Sequence, residues 1–129
     1  MNKFESLKAR LIYRWAVIKA KKEHEKTGCR YFVIPVRHPS KYLMVVRRED
    51  LGKLHKKHWI DFSRIEDAIK GSFYFTAAKN GKGEIPDKLL PTRQAIYQFW
   101  FEQRLIDMPQ ERREYRRRRR QEILAHFKR

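Results

Sequence analysis

The sequence predicts a small α+β protein. A small antiparallel sheet of two hairpins is expected to pack against an N-terminal amphipathic helix and a C-terminal aromatic helix, followed by an arginine-rich helical tail. Three features of the 129-residue chain carry this expectation. Apolar residues recur at steps of three and four near both ends, the middle holds aromatic and branched runs bounded by turn formers, and the composition turns to arginine after Pro109. The length suits one core rather than two, so residues 1–108 read as a single domain and residues 109–129 as a basic helical extension.

The first helix is expected from Asn2 to about Lys26, with Phe4, Leu7, Leu11, Trp15 and Ile18 as its apolar stripe, widened by Ala16, Val17 and Ala20. Lys3, Lys8, Arg10, Arg14, Lys19, Lys21 and Lys22 are assigned to the other side, and Gly28 to the end of the helix. Tyr31 to Val36 and Tyr42 to Val46 then read as two strands joined through Pro39. Because both runs are apolar on successive residues, both faces of this hairpin are expected to be covered. Pro35 lacks the amide donor of a central strand, which points to an edge strand or a bulge.

A short helix is expected within residues 50–58, with Leu51 and Leu54 inward. A second follows from Arg64 to Lys70, introduced by a capping box of Ser63 and Glu66, with Ile65, Ala68 and Ile69 inward and Gly71 at its end. Phe73 to Ala78 is the third strand candidate. Asn80-Gly81 tolerates the positive backbone angles of a tight turn and should lead to a brief return strand at Glu84 and Ile85. Thr92 is the expected N-cap of a helix reaching about Asp107, with Ala95, Ile96, Phe99, Trp100, Gln103 and Ile106 in helical period and Tyr97, Phe101 and Leu105 widening the apolar surface. Pro109 would then open a new helix from its first turn.

Charge points to a partner more than to a reaction. Thirty-two lysines and arginines against 15 acidic residues leave a net charge of +17, far beyond that of an ordinary small soluble domain. Such a field draws polyanions. The expectation is a non-catalytic nucleic-acid-binding protein that holds DNA or RNA through phosphate contacts with weak sequence preference. Arg112, Arg113, Arg116, Arg117, Arg118, Arg119 and Arg120 are the primary contacts, and Arg47, Arg48, Lys53, Lys56 and Lys57 the secondary ones. One alternative is an assembly protein whose aromatic helix and arginine tail contact a homo-oligomeric or acidic protein partner. The other is a small metal-independent ribonuclease.

The remaining chemistry is sparse. A lone cysteine, Cys29, offers neither a disulfide framework nor a thiolate cluster, and this fits an intracellular, cytoplasmic or nucleoid-associated setting. No signal-type apolar core and no membrane-length apolar run occurs, so no membrane partner is expected. His55 and His58 have helical spacing, yet Lys53, Lys56 and Lys57 crowd them with positive charge, and neither a metal nor another cofactor is expected. There is no Walker or dinucleotide glycine pattern, and no nucleophile signature.

Overall fold

The computed structural model describes residues 2–38, 41–61, 64–78 and 80–127. A 25-residue helix, α1 (Lys3–Thr27), opens the chain. Asn2 caps it: the Asn2 side chain accepts the Glu5 amide at 2.7 Å, and the Glu5 carboxylate accepts the Asn2 amide at 3.4 Å. This reciprocal box satisfies donors that a first helical turn leaves without partners. At the other end Gly28 adopts φ 71°, which glycine reaches without a Cβ penalty, and donates to the His24 carbonyl at 2.8 Å.

Strands β1 (Phe32–His38) and β2 (Lys41–Val46) form the expected antiparallel hairpin, with Phe32 opposite Val46 and Pro35 opposite Leu43. The joining Pro39 and Ser40 lie outside the described residues. A two-residue strand, β3 (Tyr74–Phe75), pairs with the other side of β1, so the sheet order is β2-β1-β3. Pro35 therefore sits in the central strand and not at an edge. The other expectation for it holds, since the register shifts between Pro35 and His38. The strand position is tolerable because β3 lies opposite Phe32 and Val33 only. Phe32, Val33, Ile34 and Val36 are all buried, so both faces of the sheet are covered at β1.

The second hairpin is looser. Gly81 donates to Ala78 and Ala78 to Lys82, both at 2.9 Å, and Ile85 donates to the Phe75 carbonyl at 3.2 Å, but the returning arm forms no strand. Arg30, which sequence reasoning passed over, ties this arm down. Its guanidinium donates to the Thr76 and Gly83 carbonyls at 3.1 and 2.8 Å and lies 4.7 Å from the Phe75 ring centre. Lys79 lies outside the described residues.

Helix α2 (Leu51–Lys56) follows a 3-10 turn at Arg48–Asp50 and buries Leu51 and Leu54 as expected. His58, at φ 61°, then reverses the chain: His58 donates to His55 at 3.0 Å and Trp59 to Leu54 at 3.1 Å, a paired helix ending usually built on glycine. Helix α3 (Ile65–Gly71) matches the second short helix with Ile69 half-buried. Ser63 and the side chains of Ile65 and Ala68 lie outside what is described.

The packed face of α1 differs from the expected stripe. Ala9, Tyr13, Ala16, Val17 and Ala20 are buried, whereas Phe4, Leu7, Leu11, Trp15 and Ile18 are exposed. At about 100° per residue the two sets lie on opposite sides of one helix. Alanines let the α1 backbone approach the sheet closely, and Tyr13 fills the remaining depth. The Tyr13 hydroxyl donates to the Phe73 carbonyl at 2.9 Å, and its ring stacks on Tyr97 with centres 5.4 Å apart.

Helix α4 (Leu90–Phe127) repeats this inversion. Tyr97, Phe101, Arg104 and Met108 face inward, while Ile96, Phe99 and Ile106 face solvent. It begins at Leu90, behind a 3-10 turn at Asp87–Leu89, so Thr92 lies inside its first turns and not at the cap. Pro91 is harmless there, because the first turn has no internal partners for its amides. The expected break before Pro109 is absent, and one 38-residue helix runs through it.

Candidate nucleic-acid interface

Helix α4 joins the core to the arginine run as a single element. Tyr97 and Phe101 seat its first half against Tyr13, Phe73 and Tyr42, with ring centres 4.6–5.4 Å apart. Arg104 comes next, only 3% exposed, and it donates to the Val36 carbonyl, to the His38 carbonyl at 2.7 Å and to Glu111 at 2.5 Å. A buried guanidinium is tolerable when its donors are taken up in this way. It anchors the helix to the end of β1 one turn before Pro109. Sequence reasoning did not single out Arg104. The available signal was one arginine in an aromatic helix with a glutamate seven residues later.

Beyond Glu111 the helix leaves the core. Glu114 and Tyr115 are half-buried, and every residue from Arg116 to Phe127 is exposed. Those 12 residues span about 18 Å. Arg118 lies 3.8 Å from Glu114 and Arg119 3.9 Å from Glu122, exposed pairs that contribute little. Arg112 contacts the Met108 sulfur at 3.7 Å, and Arg113 the Pro109 carbonyl at 3.5 Å. Arg116, Arg117 and Arg120 have no acidic partner among the described residues. At about 100° per residue, Arg112, Arg113, Arg116, Arg117, Arg119 and Arg120 fall within roughly 160° of arc, and Arg118 turns back toward the body. The run therefore forms a broad face rather than a spray in every direction.

The secondary set is more dispersed. Arg47 is bound to Glu49 at 2.8 Å, and that carboxylate holds its pKa above the ordinary arginine value. Arg48, Lys53 and Lys56 are exposed, and no described contact joins them to the tail. Lys57 lies 4.8 Å from the Trp59 ring centre, and Trp59 lines a cleft that does reach the tail.

That cleft, about 240 Å³, is bounded by Arg37, His55, His58, Trp59 and Asp61 on one side and by Glu111, Glu114, Tyr115 and Arg118 on the other. It brings arginine, histidine and tyrosine side chains together, but no lysine among its described lining residues. A phosphodiester entering it would meet three carboxylates, of which Asp61 is bound to Arg37 at 3.3 Å and Glu111 to Arg104. His38 borders this region, its ring edge-on to Trp59 at 4.5 Å. Burial, then the Lys41 and Arg104 charges, hold its imidazole below the usual histidine range. Among the described residues no group of three or more His, Cys, Asp or Glu side chains could hold a metal ion, and no helix is long and apolar enough to cross a membrane.

No protein-family description, no curated protein and no solved structure matches this chain. Its fold class and the disposition of its charges are accordingly the basis for a functional reading.

Proposed function

We propose that the protein binds nucleic acid through the phosphate backbone, with the exposed second half of α4 as its principal contact. The observation that carries this reading is the state of Arg116, Arg117 and Arg120: exposed, on one broad helical face, and without acidic partners among the described residues. Guanidinium groups so placed repel one another in water, and phosphates relieve that repulsion while releasing condensed counterions. The planar fork of arginine also donates to two phosphate oxygens at once. Phosphate contacts position a protein without reading sequence, so on this reading affinity rests on charge and sequence preference is weak.

The test is a titration of the full chain against duplex DNA, single-stranded DNA and RNA across salt concentrations. The logarithm of affinity falls linearly and steeply with the logarithm of salt if phosphates are the ligand. Affinity unchanged on neutralising Arg116, Arg117 and Arg120 together would overturn the assignment.

A second reading, contact with a protein partner, is favoured by one separate observation. Ile96, Phe99 and Ile106 on α4 are all more than half exposed on a helix whose other face is already packed. This reading predicts a stable complex that survives nuclease treatment and high salt.

A further inference from the structure

The α1 stripe that turns away from the core borders a groove. Leu11, Trp15 and Ile18, each at least 51% exposed, form one wall with Ile12, and residues 41–45 of β2 form the other, enclosing about 890 Å³. Nothing in the described chain covers it. Two features of this groove are independent of its apolar walls. The first is that β2 is the outer strand of the sheet, paired with β1 alone, so its other side presents a row of unpaired amides and carbonyls. The second is charge. Lys8, Arg14, Lys19 and Lys41 also line the groove, no acidic residue does, and none of the four has an acidic partner among the described residues. Two of these ammonium groups rest on the groove's own rings, Lys8 5.4 Å from Tyr42 and Lys19 5.3 Å from Trp15.

We infer that this groove takes an extended, acidic segment of a partner protein, which adds a fourth strand to the sheet along β2. Each feature accounts for one property of the occupant. The free strand edge supplies main-chain hydrogen bonds at every second residue. The apolar wall of α1 receives the side chains on one face of the added strand, because side chains alternate along it. The basic rim selects Asp and Glu at the positions flanking those apolar residues. Six residues of β2 offer about 20 Å of edge, enough for a short linear segment. A second copy of this chain is disfavoured as the occupant, since it would bring another basic rim against the first and another net charge of +17. The site is separate from the arginine face of α4 and stands or falls apart from it.

The experiment is a selection of short random peptides displayed against the full-length protein in which Arg116, Arg117 and Arg120 are replaced by glutamine, so that the arginine face does not compete for acidic peptides. Expected is enrichment of sequences alternating apolar with acidic residues. A synthetic peptide of the enriched type should lose about tenfold or more in affinity on Trp15→Glu, a substitution at an exposed position whose folding is checked by circular dichroism. N-methylation of alternate peptide amides should abolish binding in one phase and spare it in the other, as strand addition requires. Restoring Arg116, Arg117 and Arg120 should leave the peptide affinity unchanged. Failure to enrich such sequences, equal effects of N-methylation in both phases, or indifference to Trp15→Glu would overturn the inference. So would either of two other occupants: a homodimer in sedimentation that Trp15→Glu dissociates, or binding to phosphatidylserine vesicles that Trp15→Glu abolishes in place of peptide binding.

Discussion

Arg104 donates through Nε to Glu111 at 2.5 Å, two turns along the same helix, and Pro109 lies between them. A proline inside a helix removes one backbone hydrogen bond and crowds the carbonyl four residues back, at a cost of about 3 kcal/mol. The ion pair spans that weak point, and the other donors of Arg104 reach the carbonyls of Val36 and His38. One side chain thus holds α4 together across Pro109 and holds it to the sheet.

Arg104→Met should therefore destabilise the protein by about 3–5 kcal/mol, since it leaves a mostly buried carboxylate and two carbonyls without their donor. Urea denaturation reads the loss. Replacing both Arg104 and Glu111 by methionine should cost less than Arg104→Met alone, because no charge is then stranded. Equal losses would show that the Val36 and His38 carbonyls, and not the ion pair, account for the effect.

Two buried tyrosines with stacked rings should respond oppositely to removal of their hydroxyls. Tyr13 donates to the Phe73 carbonyl, so Tyr13→Phe should cost about 1 kcal/mol. The Tyr97 hydroxyl is buried with no hydrogen-bond partner among the described residues, so Tyr97→Phe should be neutral or stabilising. Thermal melts of the two variants beside the parent decide the matter, and a marked loss in Tyr97→Phe would reveal a partner for that hydroxyl.

The same burial governs behaviour in alkali. Burial pushes Tyr13 and Tyr74 from the ordinary 10 up to about 12 and raises Tyr97 as well. Above pH 10 the unfolded chain loses these protons while the folded one retains them. Stability that is fully present below pH 10 should therefore fall as the pH rises toward 12. Ultraviolet titration of phenolate should show late-ionising tyrosines whose ionisation coincides with loss of helical circular dichroism. Ionisation of every tyrosine near pH 10 with the fold intact would contradict the burial.

The arginine face makes a quantitative prediction about salt. Each of Arg116, Arg117 and Arg120 replaced by glutamine should reduce the slope of log affinity against log salt by about 0.9 on duplex DNA, or about 0.7 on a single strand. Lys53→Gln and Lys56→Gln should change it less, because no described contact links those lysines to the tail. Equal effects from both sets would mean that the bound polymer crosses the body of the protein as well as α4.

Much of the fold was legible because local chemistry specified it. Gly28 stops α1, the branched run at Phe32 to Val36 forms the central strand, and Leu51 and Leu54 point inward. What could not be read was direction. Helical periodicity identifies a stripe, but α1 carries two: one rich in large residues and one in alanine with Tyr13. Residue size favoured the first. The second packs because alanine permits close approach of helix to sheet, and large side chains at those positions would hold the two apart. The candidate site was legible as charge at Arg112 to Arg120, whereas Arg104 was hidden because its partners, Val36 and His38, are distant in sequence.

Local pattern along the chain specifies the fold class, the limits of α1 and the first hairpin, and the concentration of positive charge behind Pro109. These depend on caps, period and composition, all of which act between near neighbours. Tertiary packing set the rest: α4 passes Pro109 as one rod, Phe4, Leu7, Leu11, Trp15 and Ile18 of α1 and Ile96, Phe99 and Ile106 of α4 face outward, and β2 has a free edge beside the α1 set. Those outcomes depend on which surfaces meet, and a contact such as Tyr13 to Phe73, 60 residues apart, has no trace in local pattern.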